Sequence, residues 1–110
     1  FAAVAVHYRP GPDGAPDYAT LAAQVERDAR LDLPRRATPR TAVPAGSVAI
    51  ANRQTVIYPA RLPGGWNIIG ATPLNLFDPG REPAALLQPG DRIRFVPIDA
   101  AEFDRLREAQ

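Results

Sequence analysis

Proline most constrains what this chain can fold into, because 13 of its 110 residues are prolines. Each proline fixes its own φ angle and lacks the backbone N–H that helix interiors and central strands require. So many prolines leave little room for long helices and favour short strands joined by rigid turns. The length is that of one domain with one hydrophobic core, so a single domain over residues 1–110 is predicted.

The charges and the missing side chains exclude several classes of function. The sequence has thirteen arginines, no lysine and twelve acidic residues, which gives a net charge of +1. Because the acidic residues are interspersed among the arginines, no nucleic-acid partner is expected. Cysteine is absent and His7 is the only histidine, which excludes thiol catalysis and zinc sites built on two histidines. No apolar run approaches the roughly 18 residues of a membrane span, and the start lacks a signal-peptide pattern. We therefore expect a cytoplasmic protein with no bound metal and no membrane partner.

The first third of the sequence predicts one strand and one helix. Residues 3–8 alternate as a short strand and are followed by a loop rich in glycine and proline. Tyr18, Leu21, Ala22 and Val25 then recur at helical spacing. This spacing predicts a helix over residues 17–30, which Pro34 prevents from continuing.

The middle of the sequence has β character. Residues 47–51 and 54–58 predict two strands separated by Asn52-Arg53, and asparagine tolerates the positive φ of a two-residue hairpin turn. Three further strands are predicted at residues 66–70, 74–77 and 92–96.

A second helix is predicted at the end of the sequence, over residues 99–109. Asp99 is a good N-cap, and Glu102 stands three residues later, as in a capping box. Ile98 and Phe103 are placed for a hydrophobic staple across that cap. Five or more short strands with a helix at each end predict a mainly β fold, specifically a small β-barrel with flanking helices.

Five segments carry a resemblance to a known family. They lie in order at residues 34–48, 54–59, 63–70, 74–78 and 89–97, and the resemblance extends over about residues 28–99. They resemble the carboxy-terminal domain of the family shared by the B subunit of 5-oxoprolinase, the kinase-A inhibitor and allophanate hydrolase subunit 1 (carboxyltransferase subdomains C and D). The resemblance implies a cyclophilin-like β-barrel over residues 31–99, with residues 1–30 leading into it.

One departure from the family pattern concerns residues 25–30. Family members usually carry a Pro-Gly-Phe segment between the first helix and the Arg-Arg motif, but here Val25-Glu26-Arg27 runs directly into Asp28-Ala29-Arg30. The sequence therefore suggests either a shortened relative or a loop missing near residues 25–30.

Three arginines form the first candidate binding group. Arg35, Arg36 and Arg40 lie in an extended stretch interrupted by prolines, and their guanidinium groups would suit bidentate recognition of a carboxylate or phosphate. The alternative is that they pair with Asp32 or with other surface acids.

Two further groups are candidates for contacts with a substrate. Gln54 and Tyr58 share one face of a strand, where an amide and a phenol would suit a lactam, unless Tyr58 is a core aromatic. Gly64 and Gly65 would let a ligand approach the backbone, with Trp66 as a stacking wall. The alternative is a hairpin turn beside a core tryptophan.

The residues alone reveal no autonomous active site, so function is inferred from the resemblance. It implies one component of a multi-subunit, ATP-dependent 5-oxoprolinase that converts 5-oxo-L-proline to L-glutamate together with its A and C subunits as partners. ATP would be used by the assembled enzyme, and no cofactor would be bound by this domain alone. The alternative is a regulatory module that inhibits a sensor histidine kinase. Carboxyl transfer is a more distant third possibility.

Overall fold

The computed structural model describes residues 2–8 and 33–110. Seven strands and one helix lie within these residues. In chain order they are β1 (Ala2–Tyr8), β2 (Arg40–Val43), β3 (Ser47–Ala51), β4 (Gln54–Ile57), β5 (Leu62–Gly64), β6 (Asn67–Ala71), β7 (Ile93–Pro97) and α1 (Ala100–Glu108).

Five of the strands form one sheet in the order β4-β3-β6-β1-β7, which curls into a half-barrel, while β2 and β5 pair separately. All neighbours in the larger sheet are antiparallel except β1 and β7, which are parallel, with Val4 opposite Phe95. This architecture confirms the predicted mainly β fold. The predicted strands at 3–8, 47–51, 54–58, 66–70 and 92–96 are confirmed to within a residue or two at their ends.

The predicted hairpin is confirmed at β3 and β4. Val48 pairs with Ile57 and Ala51 with Gln54, so Asn52 and Arg53 are the two turn residues. Their φ angles are 50° and 63°, the left-handed values that a type I′ turn needs at both central positions.

Strand β3 lies between β4 and β6 and is buried on both of its faces. One face packs into a cluster made of Val4, Val6, Val48, Ile50 and Ile69. The other face packs into a smaller cluster made of Val43, Ala49 and Tyr58, with Val56, Trp66 and Ile68 packed around it. All five residues of β3 are buried as a result, which fits a strand covered by apolar side chains on both sides.

The helix α1 begins as predicted, with part of the predicted capping box. The Asp99 carboxylate accepts a hydrogen bond from the Glu102 N–H at 2.8 Å. The Glu102 side chain binds Arg105 at 2.8 Å instead of returning to the cap. Phe103 faces β1, where its ring centroid lies 6.2 Å from that of His7. No helix of the described residues is long and apolar enough to cross a membrane.

The Glu102–Arg105 pair predicts a pH dependence of stability. The hydrogen bond from Arg105 lowers the pKa of Glu102 below its ordinary value of 4.5. A lowered folded-state pKa stabilises the protein above the unfolded-state value, and this contribution is lost as the pH falls through the folded-state pKa. We expect Glu102→Gln to lower the melting temperature slightly at pH 7 and to have no effect in strong acid. Melting curves from pH 7 to 2 measure this, and a difference that grows towards acid would contradict it.

Two parts of the strand prediction were wrong or incomplete. Residues 74–77 do not form a strand, because this stretch belongs to an irregular loop with a single bridge between Phe77 and Ala85. The short strands β2 and β5 were not predicted. The predicted helix at 17–30 and the suggested missing loop near 25–30 lie outside the described residues.

Candidate functional site

The stretch that carries the three arginines, residues 33–40, is called here the arginine segment. Its first half is fastened to the end of the larger sheet. The Leu33 carbonyl accepts a hydrogen bond from the Asn52 N–H at 2.7 Å. The Asn67 side-chain amide donates to the Pro34 carbonyl at 3.0 Å and to the Ile50 carbonyl at 3.1 Å. Asn67 therefore joins the arginine segment to β3 and β6 at once.

The second half of the arginine segment is fastened to the two glycines. The Arg36 N–H donates to the Gly65 carbonyl at 2.7 Å. Arg40 lies opposite Gly64 in the β2–β5 pair. A methyl group built on Gly65 would lie 3.8 Å from Nε of Arg35. The structure thus brings the candidate arginines and the candidate glycines to one place.

Tyr58 lies directly behind this place. Its side chain is only 7% exposed and belongs to the smaller core cluster, as the core alternative for this residue supposed. A methyl group built on Gly64 would lie 2.1 Å from the Tyr58 hydroxyl, so the phenol fills the space that a side chain at position 64 would need. Trp66 is half-buried and packs against the same cluster.

Gln54 is placed apart from these residues. It is exposed at the start of β4, beside the hairpin turn, whereas Tyr58 follows the end of that strand. Four residues of strand span about 13 Å. Gln54 therefore lies near the hydrogen bond between Asn52 and Leu33, whereas Tyr58 lies beside Gly64.

The guanidinium groups of the arginine segment lack carboxylate partners within the described residues. In residues 2–8 and 33–110, the only ion pairs are Arg105–Glu102 and Arg107–Asp104 on α1. The proposed alternative partner Asp32 lies outside that range. Arg35 and Arg36 are exposed, while Arg40 is half-buried and its Nε is buried without a hydrogen-bond partner. Leaving such a donor unsatisfied costs about 1–3 kcal/mol, so an acceptor supplied from outside would be favourable.

No group of histidine, cysteine, aspartate and glutamate suited to a metal ion occurs among the described residues. The arrangement instead offers cationic donors beside two buried glycines and a half-buried tryptophan. Chemically it can bind and orient an oxyanion.

Asn67, which positions the arginine segment, was not predicted from the sequence. The available signal was an asparagine inside an otherwise apolar strand, where its side chain is unfavourable unless it makes hydrogen bonds. Replacing it leaves the Pro34 and Ile50 carbonyls without this donor.

We expect Asn67→Ala to destabilise the protein by about 1 kcal/mol, the usual net worth of such hydrogen bonds. Urea unfolding of the variant measures the loss. Asn75→Ala is the control, because the Asn75 side chain makes no hydrogen bond within the described residues. Equal stability of Asn67→Ala and the parent would contradict the proposed fastening.

A comparison with protein families shows the family to which the chain belongs. The model of the carboxyltransferase domain, subdomain C and D, matches residues 15–87. The chain belongs to this family. The match confirms the family resemblance. It includes four of the five segments that carry it, the whole arginine segment and both glycines.

Named relatives refine this assignment. The chain is 59% identical over 68 residues to the B subunit of 5-oxoprolinase from Escherichia coli O157:H7, covering 62% of this chain and 31% of that protein. It is 47% identical over 79 residues to the protein of the same name from Bacillus subtilis, covering 72% and 33%. The chain thus spans about a third of the length of these relatives.

A solved structure shares the fold. The conserved uncharacterized protein from Pyrococcus horikoshii matches with a TM-score of 0.74 and 35% identity, over 92% of this chain and 60% of that one. This agreement supports the half-barrel as the fold of the family domain.

Proposed function

We propose that this chain is the carboxy-terminal part of the B subunit of a 5-oxoprolinase, acting within a multi-subunit enzyme that opens 5-oxo-L-proline to L-glutamate at the expense of ATP. The observation that carries the proposal is the 47–59% identity to proteins of that name. Their designation as one subunit implies a complex with other chains, which we take to be the A and C subunits.

The chemistry explains why such an enzyme needs ATP. An unactivated lactam is a poor electrophile, because the ring nitrogen donates electron density to the carbonyl. Transfer of the terminal phosphoryl group of ATP to the lactam oxygen makes the carbon electrophilic and creates a leaving group. Water then adds to that carbon and the ring C–N bond breaks, which leaves a glutamyl phosphate. A second water displaces phosphate from this acyl phosphate, so the products are glutamate, ADP and phosphate.

This domain's part in the reaction is binding and positioning. Arg35, Arg36 and Arg40 offer cationic donors, on a backbone that the buried Gly65 holds at Arg36. Gln54 adds an exposed amide at the other end of β4. We propose that these residues line a cleft shared with a partner protein, which completes the active site.

The test mixes the full-length protein with its two partners and measures glutamate release from 5-oxoproline, with and without ATP. Release that requires both ATP and this protein supports the proposal. An assembled complex without turnover overturns it and makes the histidine-kinase regulator the next candidate, to be tested by binding to such kinases.

Within the active complex, we expect Arg36→Ala to lower kcat/KM at least tenfold, because one charge-assisted contact is lost. Gln54→Ala tests the other end of the cleft, where a smaller reduction is expected. Arg94→Ala is the matched control, since Arg94 is an exposed arginine on β7, at the opposite edge of the sheet from β4. Unchanged turnover in Arg36→Ala would show that the arginine segment lies outside the cleft.

A further inference from the structure

We infer that the arginine segment is a binding site for a multiply charged phosphate group, such as a phosphate ester or a polyphosphate tail. Its place in catalysis rests on the proposed function, whereas the binding itself does not.

The rigidity of the arginine segment is the first observation. Hydrogen bonds from Asn52, from Asn67 and to Gly65 fix its backbone at Leu33, Pro34 and Arg36. Prolines at both sides of the arginines remove further freedom. A backbone held in this way restricts the positions that the charged side chains can reach before a ligand arrives, which lowers the entropic cost of binding.

The uncompensated charge is the second observation. The segment carries three guanidinium groups within six residues, and no carboxylate of the described residues lies within 4.0 Å of any of them. On α1, by contrast, Arg105 and Arg107 are each neutralised by an acid three residues before them. Arg53, Arg61 and Arg94 also have no carboxylate partner among the described residues, but each stands alone. The arginine segment is the one place among the described residues where three such arginines lie within six positions.

The third observation is independent of charge. Nε of Arg40 is buried and has no hydrogen-bond partner among the described residues. Buried polar atoms are nearly always satisfied in native proteins, and an exception is completed by an ordered water or by a bound ligand. Arg40 lies opposite Gly64, next to the point where Gly65 accepts from Arg36, so a ligand at the arginines would also lie near this atom.

The charge decides between the two classes of oxyanion. A single carboxylate carries one negative charge and is satisfied by one guanidinium fork. Three forks match a group that carries two or more charges and three or more acceptor oxygens, which describes phosphate.

Tripolyphosphate is the probe, titrated calorimetrically into the purified full-length protein at fixed salt, with acetate as the monocarboxylate comparison. We expect tripolyphosphate to bind at least tenfold more tightly than acetate. Arg36→Gln and Arg35→Gln should each weaken tripolyphosphate binding about tenfold. Both side chains are exposed, so both variants should fold. Arg40→Gln tests the buried donor in the same titration, provided that its melting curve matches that of the parent.

The control is Arg94→Gln, which removes the same charge from β7 and should change the affinity less than twofold. Acetate binding as tightly as tripolyphosphate overturns the inference, because the site would then select no multiple charge. Equal losses of tripolyphosphate affinity in Arg94→Gln and Arg36→Gln also overturn it, because the polyphosphate would then be attracted by the protein's overall positive charge and not by the arginine segment. Turnover that falls in Arg36→Ala without any tripolyphosphate binding would remove this inference and leave the proposed function standing.

Discussion

Gly64→Ala should destabilise the protein by about 2 kcal/mol or more, the upper range of overpacking in a closed core. The added methyl group would lie 2.1 Å from the Tyr58 hydroxyl, and no pair of such atoms approaches so closely. Tyr58 cannot withdraw easily, since it is packed with Val43 and Ala49 in the smaller cluster. Urea unfolding analysed by linear extrapolation measures the loss.

The adjacent glycine supplies a matched control. A methyl group on Gly65 would approach no atom closer than 3.4 Å, so Gly65→Ala should cost less than about 0.5 kcal/mol. Equal costs at positions 64 and 65 would contradict this packing.

A second substitution tests the cause directly. Removing the hydroxyl in Tyr58→Phe leaves ring carbons at 3.1 and 3.3 Å from the built methyl group, which is tight but tolerable after small shifts. Gly64→Ala should therefore cost at most half as much in the Tyr58→Phe background, which is a coupling of about 1 kcal/mol. Additive costs would show that the penalty at position 64 comes from the backbone and not from the phenol.

The contact between Tyr58 and Gly64 illustrates which parts of the structure can be predicted from the sequence and which cannot. The hairpin of β3 and β4 follows from alternating apolar residues and from Asn52, all of them local signals. The start of α1 follows from Asp99 in the same way. The meeting of Tyr58 with Gly64 depends on how β5 folds back, and no local pattern contains it.

The two unpredicted strands illustrate the same limit. β2 has four residues and β5 has three, one of which is Pro63, so neither is long enough to show a period of two. They exist because each provides the other's hydrogen bonds, with Arg40 opposite Gly64 and Val43 opposite Leu62. Pairing between short, distant segments is decided by the tertiary fold.

The candidate site likewise has parts that could be predicted from the sequence and parts that depend on the tertiary fold. The choice of Arg35, Arg36 and Arg40 came from residue type and resemblance, and the structure places them beside Gly64 and Gly65. Their fastening by Asn67 was not predicted, because it joins residues 33 positions apart. Whether these residues bind a substrate remains a prediction for the experiments above.

The loop at residues 74–88 explains why the strand predicted at residues 74–77 was wrong. It is also the site of the second substitution with a large expected effect on stability. Leu74 to Phe77 are apolar except for Asn75, which suggested a strand, but a single side chain organises the whole loop. The Arg81 guanidinium donates to carbonyl oxygens of four residues at 3.0–3.4 Å: Asn75, Leu76, Pro83 and Ala84. The carbonyls converge on one cation and do not continue a sheet, so a pattern of polarity alone could not reveal this loop.

We expect Arg81→Ala to destabilise this loop by about 2 kcal/mol, in the range of hydrogen bonds to charged groups. Arg81→Lys should recover only part of the loss, because an ammonium group lacks the planar fork that spans several carbonyls. Hydrogen exchange gives the local measurement through the amides of Asp78 and Leu86, which donate to Ala84 and Leu76 across the loop.

Two comparisons make this result specific to the loop. The Tyr58 amide, bonded to Ser47 in the core, should keep its protection in Arg81→Ala if the loop opens without global unfolding. Arg107→Ala removes an arginine whose partner is the exposed Asp104, so it should cost less than about 0.5 kcal/mol. Protection of Asp78 and Leu86 that is equal in Arg81→Ala and the parent would mean that the Phe77–Ala85 bridge holds the loop without the arginine.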